Sequence, residues 1–361
     1  MNEPTAANRL THRRTWLVTL VVMACALRGA EPVDRDLLPE ARAVLDYLHA
    51  IYGKQTLAGA NTLKHADAIR DVCGRSPAIV TFDLSGWNSP PWGKDYQGVV
   101  AKTLADVRTW WGRGGIVTMQ LHAIHPLNPD GSAWLAPHGR KTASPPFPFA
   151  AALKSGTPEN AALLRELKGH ADWLAQLAEA RVPVLWRPLH EIEGGWFWWT
   201  DKDTPENTAA YWRLMFDYFV KERKLHNLIW VYSAAVRAGV GKEAVTAVER
   251  RRRFYPGDAY VDIAGIDIYP SEKLGIGPPQ TDTYATSFAV MQQVAPGKIL
   301  ALCECEAIPD PAAMAARGPR WLYCLPWWGP EKQHPPEWIK QTYPHEFMVT
   351  LDELPRFGPT K

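Results

Sequence analysis

Short apolar runs alternate with amphipathic stretches along most of this chain. Runs at 57–61, 78–82, 115–121, 183–187, 228–233, 263–268, 299–303 and 321–326 read as strands. Between them, segments 64–72, 99–111, 159–180, 205–224, 242–253, 284–294 and 311–317 read as helices. In 159–180, for example, Leu163, Leu164, Leu167, Trp173, Leu174 and Leu177 recur at near-helical spacing. Thr204 before Pro205 predicts a helix start, with Thr204 as the cap and Pro205 in the first turn. With a C-terminal segment after the last strand, these make eight β–α units; the alternation argues for a parallel sheet, and eight argue for its closure into a (β/α)8 TIM barrel. A doubly wound sheet is the competing α/β architecture, but no Gly-x-Gly-x-x-Gly turn follows the first strand. No linker or low-complexity tract interrupts the series, so residues 31–361 read as a single domain.

The first thirty residues lie outside this pattern. His12, Arg13 and Arg14 precede an apolar run over 16–27 that Arg28 ends, the shape of an export signal. The run falls short of the roughly 20 residues that a membrane-spanning helix needs. Ala24-Cys25-Ala26 offers a small-x-small cleavage site, and Cys25 alternatively offers a lipid attachment point. Residues 1–30 are therefore expected to be a signal peptide, and the mature protein to be secreted, periplasmic or held at the cell surface.

Composition narrows the chemistry. With 40 basic and 38 acidic residues and 46 % hydrophobic ones in 361, the chain is globular, and a net charge of +2 leaves no electrostatic footprint for nucleic acid. The run Arg250–Arg253 reads as a solvated helix end. Cys73, Cys303, Cys305 and Cys324 leave one disulfide open, with no CxxC pair to suggest a zinc ribbon. The 31 prolines predict long, shaped loops. The 17 tryptophans exceed what a core of this size needs, and aromatic faces also line sites for flat ligand surfaces such as sugar rings. Trp110, Trp173 and Trp212, on expected helices, are assigned to the core.

In such a barrel the chemistry sits where strands end. Strand three ends in Leu121-His122-Ala123-Ile124-His125-Pro126, strand four in Trp186-Arg187-Pro188-Leu189-His190-Glu191, strand six in Asp267-Ile268-Tyr269, strand seven in Leu302-Cys303-Glu304-Cys305-Glu306, and strand eight in Pro326-Trp327-Trp328. Two carboxylates on nearby strands, with His, Tyr and Trp around them, are the set that glycoside hydrolysis uses: one acid for the leaving oxygen, the other to attack or to activate water. The bland alternative is that such acids serve structural ion pairs. His122 and His125 lack a third ligand in sequence, and His190-Glu191 ends its run on Gly194 where a zinc protease motif has His. There is no Gly-x-Ser-x-Gly elbow and no phosphate loop. If Glu304 faces the barrel mouth, strand alternation turns Cys303 and Cys305 outward and keeps Glu306 on its own side.

The stretch Trp186-Arg187-Pro188-Leu189-His190-Glu191-Ile192-Glu193-Gly194-Gly195-Trp196-Phe197-Trp198-Trp199 resembles the strand-four signature of glycoside hydrolase family 26, which contains the β-mannanases and belongs to a clan of retaining barrel glycosidases. Gly53-Lys54-Gln55 with Gly59, His122 after Met119, Gly265-Ile266-Asp267-Ile268-Tyr269, the segment 299–304 with Ile308-Pro309, and Asp352-Glu353-Leu354-Pro355 resemble other segments of that family, so the likeness runs from Gly53 to Pro355. The resemblance implies that Glu191 is the general acid/base and Glu304 the nucleophile. It implies that His122, His190 and Tyr269 orient these groups or the sugar, and that Trp196 and Trp327 form aromatic walls. Three positions depart from the family pattern near the expected groove: His125 and Glu193, where Asn is common, and Glu306, where Gly is frequent. The implied activity is hydrolysis of β-1,4-mannosidic linkages in mannan or galactomannan, by a monomer that needs no metal or organic cofactor. Another β-glycan hydrolase (a mixed-linkage glucanase or a β-1,3-xylanase) and a non-catalytic glycan-binding barrel are the alternatives.

Overall fold

The computed structural model describes residues 31–84, 96–128, 132–137, 143–236 and 247–357. The expected signal peptide and part of the helix expected at 242–253 lie outside the described residues. Pro32–Lys361 form one compact unit.

Eight parallel strands follow one another around a closed barrel: β1 (Thr56–Asn61), β2 (Ile79–Asp83), β3 (Ile116–Gln120), β4 (Val184–Trp186), β5 (Leu228–Val236), β6 (Ile263–Ile268), β7 (Ile299–Cys305) and β8 (Tyr323–Pro326). β8 pairs with β1, and β1 pairs with β2, which closes the ring. A two-residue strand, β9 (Met348–Val349), adds a further parallel pairing to the start of β1, and the sequence pattern did not reveal it.

The alternation of strand residues sorts the core into an inside and an outside. Leu57, Ile79, Ile116, Leu185, Ile229, Val231, Ile263, Ile299 and Ala301 pack together within the barrel. Their neighbours along each strand, such as Val80, Val117, Trp186, Trp230, Ala264 and Leu300, pack against the surrounding helices. A first helix, α1 (Pro39–Ile51), precedes β1 and was not foreseen. Its Val44, Leu45, Leu48 and Ile51 join the inner cluster beside the first residues of the strands.

The other helices are α2 (Thr62–Cys73), α3 (Tyr96–Gly112), the single turn α4 (Phe149–Ala152), α5 (Pro158–Glu179), α6 (Pro205–Phe216), α7 (Val248–Phe254), α8 (Ala285–Val294), α9 (Pro311–Ala316) and α10 (Pro336–Thr342). Thr157 caps α5 by accepting the Asn160 N–H at 3.1 Å, with Pro158 at its first position. Thr204 stands at the start of α6 but its side chain caps nothing. Asp201 accepts the Thr204 N–H instead, at 2.9 Å. Trp110 and Trp212 are buried and Trp173 is partly buried, all against the outer core. All four cysteines of the barrel carry free thiols.

Candidate active site

The two glutamates expected from the sequence meet at a small polar centre. A carboxylate oxygen of Glu191, one of Glu304 and one of Asp267 all fall within 4.8 Å of one another. Glu191 and Glu304 are 3 % and 5 % exposed, so both carboxyls are largely withdrawn from water.

Glu304 reaches this pocket through an irregularity in β7. Ile299 and Ala301 face the barrel interior, so plain alternation would turn Glu304 outward. The pairing of β6 with β7 skips a residue: Ile266 faces Leu302, and Asp267 faces Glu304. Cys303 is the extra residue of a β-bulge, which re-aims every side chain after it. Cys303 and Glu304 therefore both point inward, and Cys305 turns to the outer core. The expectation of an outward Cys303 is corrected by this bulge. Gly265 makes room for it, since a Cβ there would lie 2.2 Å from the Cys303 sulfur.

Arg187, at the end of β4, is the hub of the centre. One terminal nitrogen donates to both carboxylate oxygens of Asp267, at 3.0 and 2.8 Å, and to Ser233 Oγ at 3.2 Å; the other donates to Glu304 Oε1. Tyr269 donates its hydroxyl to Glu304 Oε2 at 2.9 Å. Both oxygens of Glu304 are thus anchored, one by Arg187 and one by Tyr269. Burial works against the charge on Arg187, but Asp267 and Glu304 outweigh it and hold the guanidinium above its ordinary value. Burial pushes Asp267 well above the usual carboxylate range, Arg187 opposes that, and the Glu304 and Glu191 charges add to it. Burial, followed by the same carboxylates, raises the Tyr269 hydroxyl, so it stays a donor. Sequence reasoning did not assign Arg187, Asp267 or Ser233 to the site. The available signal was their position: charged or polar residues in runs otherwise buried, at strand ends.

Glu191 sits just past β4 in a tight chain reversal. Leu189 and Glu191 have φ of +47° and +51°, left-handed values that cost non-glycine residues about 1–3 kcal/mol each and that cluster at functional sites. Main-chain bonds hold the reversal, from Ile192 N–H to Ser233 O at 3.1 Å and from Gly194 N–H to Glu191 O at 2.8 Å. Trp196 folds back over it and donates its indole N–H to Glu191 Oε2 at 2.6 Å. The ring lies against Gly194, where a Cβ would fall 2.2 Å from it.

His122 and His190 complete one wall. Asp83, on β2, meets His122 Nδ1, and the two histidines approach Nε2 to Nε2 at 3.2 Å. One of the two Nε2 atoms donates the proton of this contact and the other accepts it. Phe197 lies 5.4 Å from the His122 ring and 5.0 Å from that of His190. The segment after β3 supports this wall: Trp134 bridges Phe197, and Leu135 N–H donates to Trp196 O at 2.7 Å. Trp327 is held at the end of β8 by its N–H to Cys305 O at 2.9 Å and by Asn61 Nδ2 on its carbonyl at 3.1 Å.

Two residues expected near a groove are placed elsewhere. His125 is buried, accepts the Leu127 N–H at 3.2 Å and meets Phe147 and Trp198 edge-on, so it packs the loop interior. Glu193 is 3 % exposed and pairs with Arg251 at 2.7 Å. Arg251 is thereby removed from the solvated run expected at Arg250–Arg253. Glu306 is half-buried just beyond β7, and burial holds its carboxyl above the ordinary range.

Among the described residues, two groups bring enough oxygen and nitrogen ligands together for a cation: Glu191, Asp267 and Glu304 at the centre, and Asp34, Asp36 and His226 elsewhere. In the first, Arg187 occupies both oxygens of Asp267 and one of Glu304. In the second, Asp34 is engaged by His226 Nδ1 at 2.9 Å and by the Asp36 N–H at 3.0 Å.

The sequence profile of glycosyl hydrolase family 26 matches residues 33–353. The chain is 34 % identical over 322 residues to a mannan endo-1,4-β-mannosidase of Thermothelomyces thermophilus, a match that covers 87 % of this chain and 61 % of that protein. It thus spans about three fifths of that relative's length. The fold is similar to that of a β-mannanase from a symbiotic protist of the termite Reticulitermes speratus, solved with a gluco-manno-oligosaccharide, with a TM-score of 0.75 and 32 % identity over 90 % of this chain and 97 % of that one. It is also similar to a β-(1,4)-mannanase of Podospora anserina, with a TM-score of 0.73 and 26 % identity over 92 % of this chain and 70 % of that one.

Proposed function

The chain belongs to glycosyl hydrolase family 26, and on that premise we propose that it is a secreted endo-β-1,4-mannanase that cleaves mannan and galactomannan with retention of configuration. The observation that carries this reading is the approach of the Glu191 and Glu304 oxygens to within 4.8 Å. Retaining glycosidases hold their two carboxyl groups ~5–5.5 Å apart, close enough for direct attack on the sugar, whereas inverting ones leave room for a water between.

In this reading Glu304 is the nucleophile. Arg187 and Tyr269 fix its two oxygens, so the carboxylate is presented to the anomeric carbon without a search over rotamers. As the glycosidic bond breaks, Glu191 passes a proton to the departing oxygen while Glu304 bonds to the anomeric carbon. Glu191, now a carboxylate, then removes a proton from water, which displaces Glu304 and releases the sugar with its original configuration. The Trp196 indole N–H steadies the charge that Glu191 acquires between the two steps. The polar edge of His122 and His190 is suited to the sugar hydroxyls, and the rings of Trp196 and Trp327 to its C–H faces.

The substrate assignment draws on the relatives named mannan endo-1,4-β-mannosidase, and secretion on the pattern of residues 1–30, which precede the stretch that the family profile matches. The test is product release from a panel of linear mannan, galactomannan, mixed-linkage glucan and xylan. Mannan is expected to be the preferred substrate, with activity lost in Glu191→Ala and Glu304→Ala while both variants stay folded. Full activity in either variant would overturn the assignment.

A further inference from the structure

Glu193 is a buried acid in the β4 loop that the mechanism above does not use. We infer that the Glu193–Arg251 pair is a positioning device for Glu191: it ties the loop that carries the proton-transferring acid to helix α7, across the end of β5. The inference rests on the proposed roles of Glu191 and Glu304.

The two side chains are 3 % and 1 % exposed, so this is an ion pair closed off from water. Arg251 Nε donates to Glu193 Oε1 at 2.7 Å, and its terminal nitrogen donates to Ala235 O, on β5, at 3.2 Å. The neighbouring Arg250 donates to the Glu193 main-chain carbonyl at 3.3 Å. Residue 193 is therefore gripped at both side chain and backbone by consecutive arginines of one helix. Burial raises the Glu193 carboxyl, and Arg251 and then Arg250 counter that. Tyr232 faces the same pair from β5.

The location gives the pair its meaning. Two residues before Glu193 stands Glu191 in a left-handed conformation, and three residues after it stands Trp196, which donates to Glu191. A strained conformation persists only where the surroundings over-determine it. The Gly194 bond defines the reversal locally and the Ile192 bond to Ser233 O ties it to β5, whereas the Glu193 grip is what adds the tie to helix α7. Surface ion pairs hold little geometry, but a buried arginine that spans a carboxylate and a main-chain carbonyl is fixed at both. Arg251 therefore acts through Glu193 on Glu191 and does not touch substrate.

The test separates acid/base placement from general folding. Wild type, Glu191→Gln, Glu193→Gln and Arg251→Lys are each assayed on mannan and on a dinitrophenyl β-mannobioside. The activated leaving group departs without a proton, so formation of the glycosyl-enzyme on it no longer needs Glu191. Glu193→Gln is expected to lose about tenfold or more in kcat on mannan, a part of the 10²–10⁴ that acid/base catalysis typically supplies. Its pre-steady-state burst of dinitrophenol is expected to stay near wild type, and added azide, which needs no base, is expected to restore turnover. Arg251→Lys keeps the charge without the guanidinium and is expected to show the same signature more weakly, and it serves if Glu193→Gln does not fold. Equal losses on both substrates, or no loss on mannan, would overturn the positioning role. Failure of the underlying reading looks different: Glu191→Gln itself would then lack the burst-and-azide signature.

Discussion

Replacing Arg187 by methionine tests the centre most sharply, because the side chain is similar in length and loses only its charge and donors. In the native centre one guanidinium serves Asp267, which is fully buried, and Glu304, which is 5 % exposed. Without it, two carboxyls remain close together in the barrel with no counter-charge. Breaking a buried pair by removing one partner costs about 3–5 kcal/mol. The 330 residues of Pro32–Lys361, at roughly 2.1 cal/mol/K each, give an unfolding entropy near 0.7 kcal/mol/K, so Tm is expected to fall by about 4–7 °C. Glu304 also loses a charge-assisted hydrogen bond of about 1.5–3 kcal/mol, which corresponds to about a 10- to 150-fold fall in kcat/KM. Calorimetry and mannan kinetics read the two effects separately. The double variant Arg187→Met/Asp267→Asn removes one stranded acid, so it should regain part of the lost stability and none of the activity. A Tm unchanged in Arg187→Met, or a double variant no more stable than the single one, would refute the view of Arg187 as the shared counter-charge.

Two further outcomes follow from other parts of the structure. Burial raises Asp262 to about 6, against the Trp230 and Val33 N–H groups that it accepts and that pull it down. The folded state therefore holds this proton more tightly than the unfolded chain, and the contribution is present at low pH and lost as pH rises through about 6, a span of about 2 units or about 3 kcal/mol. Urea unfolding should show Asp262→Asn losing about 3 kcal/mol less than wild type between about pH 3.5 and pH 7, although the variant starts less stable for want of one N–H acceptor. Gly194→Ala would put a methyl group 2.2 Å from the Trp196 ring. It should displace the indole from Glu191 and lower kcat/KM on mannan about tenfold or more, and unchanged kinetics would mean that the Trp196 bond contributes little.

The barrel was legible because its strands are uniformly apolar and bounded by polar loops, so each unit announced itself. The candidate site was legible as a set of positions because strand ends collect polar and aromatic side chains: His122, His190, Glu191, Tyr269, Glu304 and Trp327 all come from the last residues of a strand or the first few beyond it. The bulge in β7 could not be read, because Leu302-Cys303-Glu304-Cys305 carries the same residue types in either register, and only pairing with β6 shows which residue is extra. The burial of Arg251 was hidden for a related reason. Four arginines in a row look solvated, and the helical turn that sends one of them to a buried acid about sixty residues earlier is a tertiary fact. The start of α6 is similar: Thr204 has the right chemistry for a cap, but the Asn207 N–H bonds to the Thr204 main-chain carbonyl at 2.9 Å, and Asp201 takes the Thr204 N–H.

The account stands on direct attack by Glu304 across from Glu191, and the stereochemistry of the first product tests that. Proton NMR of manno-oligosaccharide hydrolysis, followed from the first turnover before mutarotation, should show the β-anomer appearing first. Initial release of the α-anomer would mean that a water occupies the space between the two carboxylates, and the assignment of Glu304 as nucleophile would be wrong.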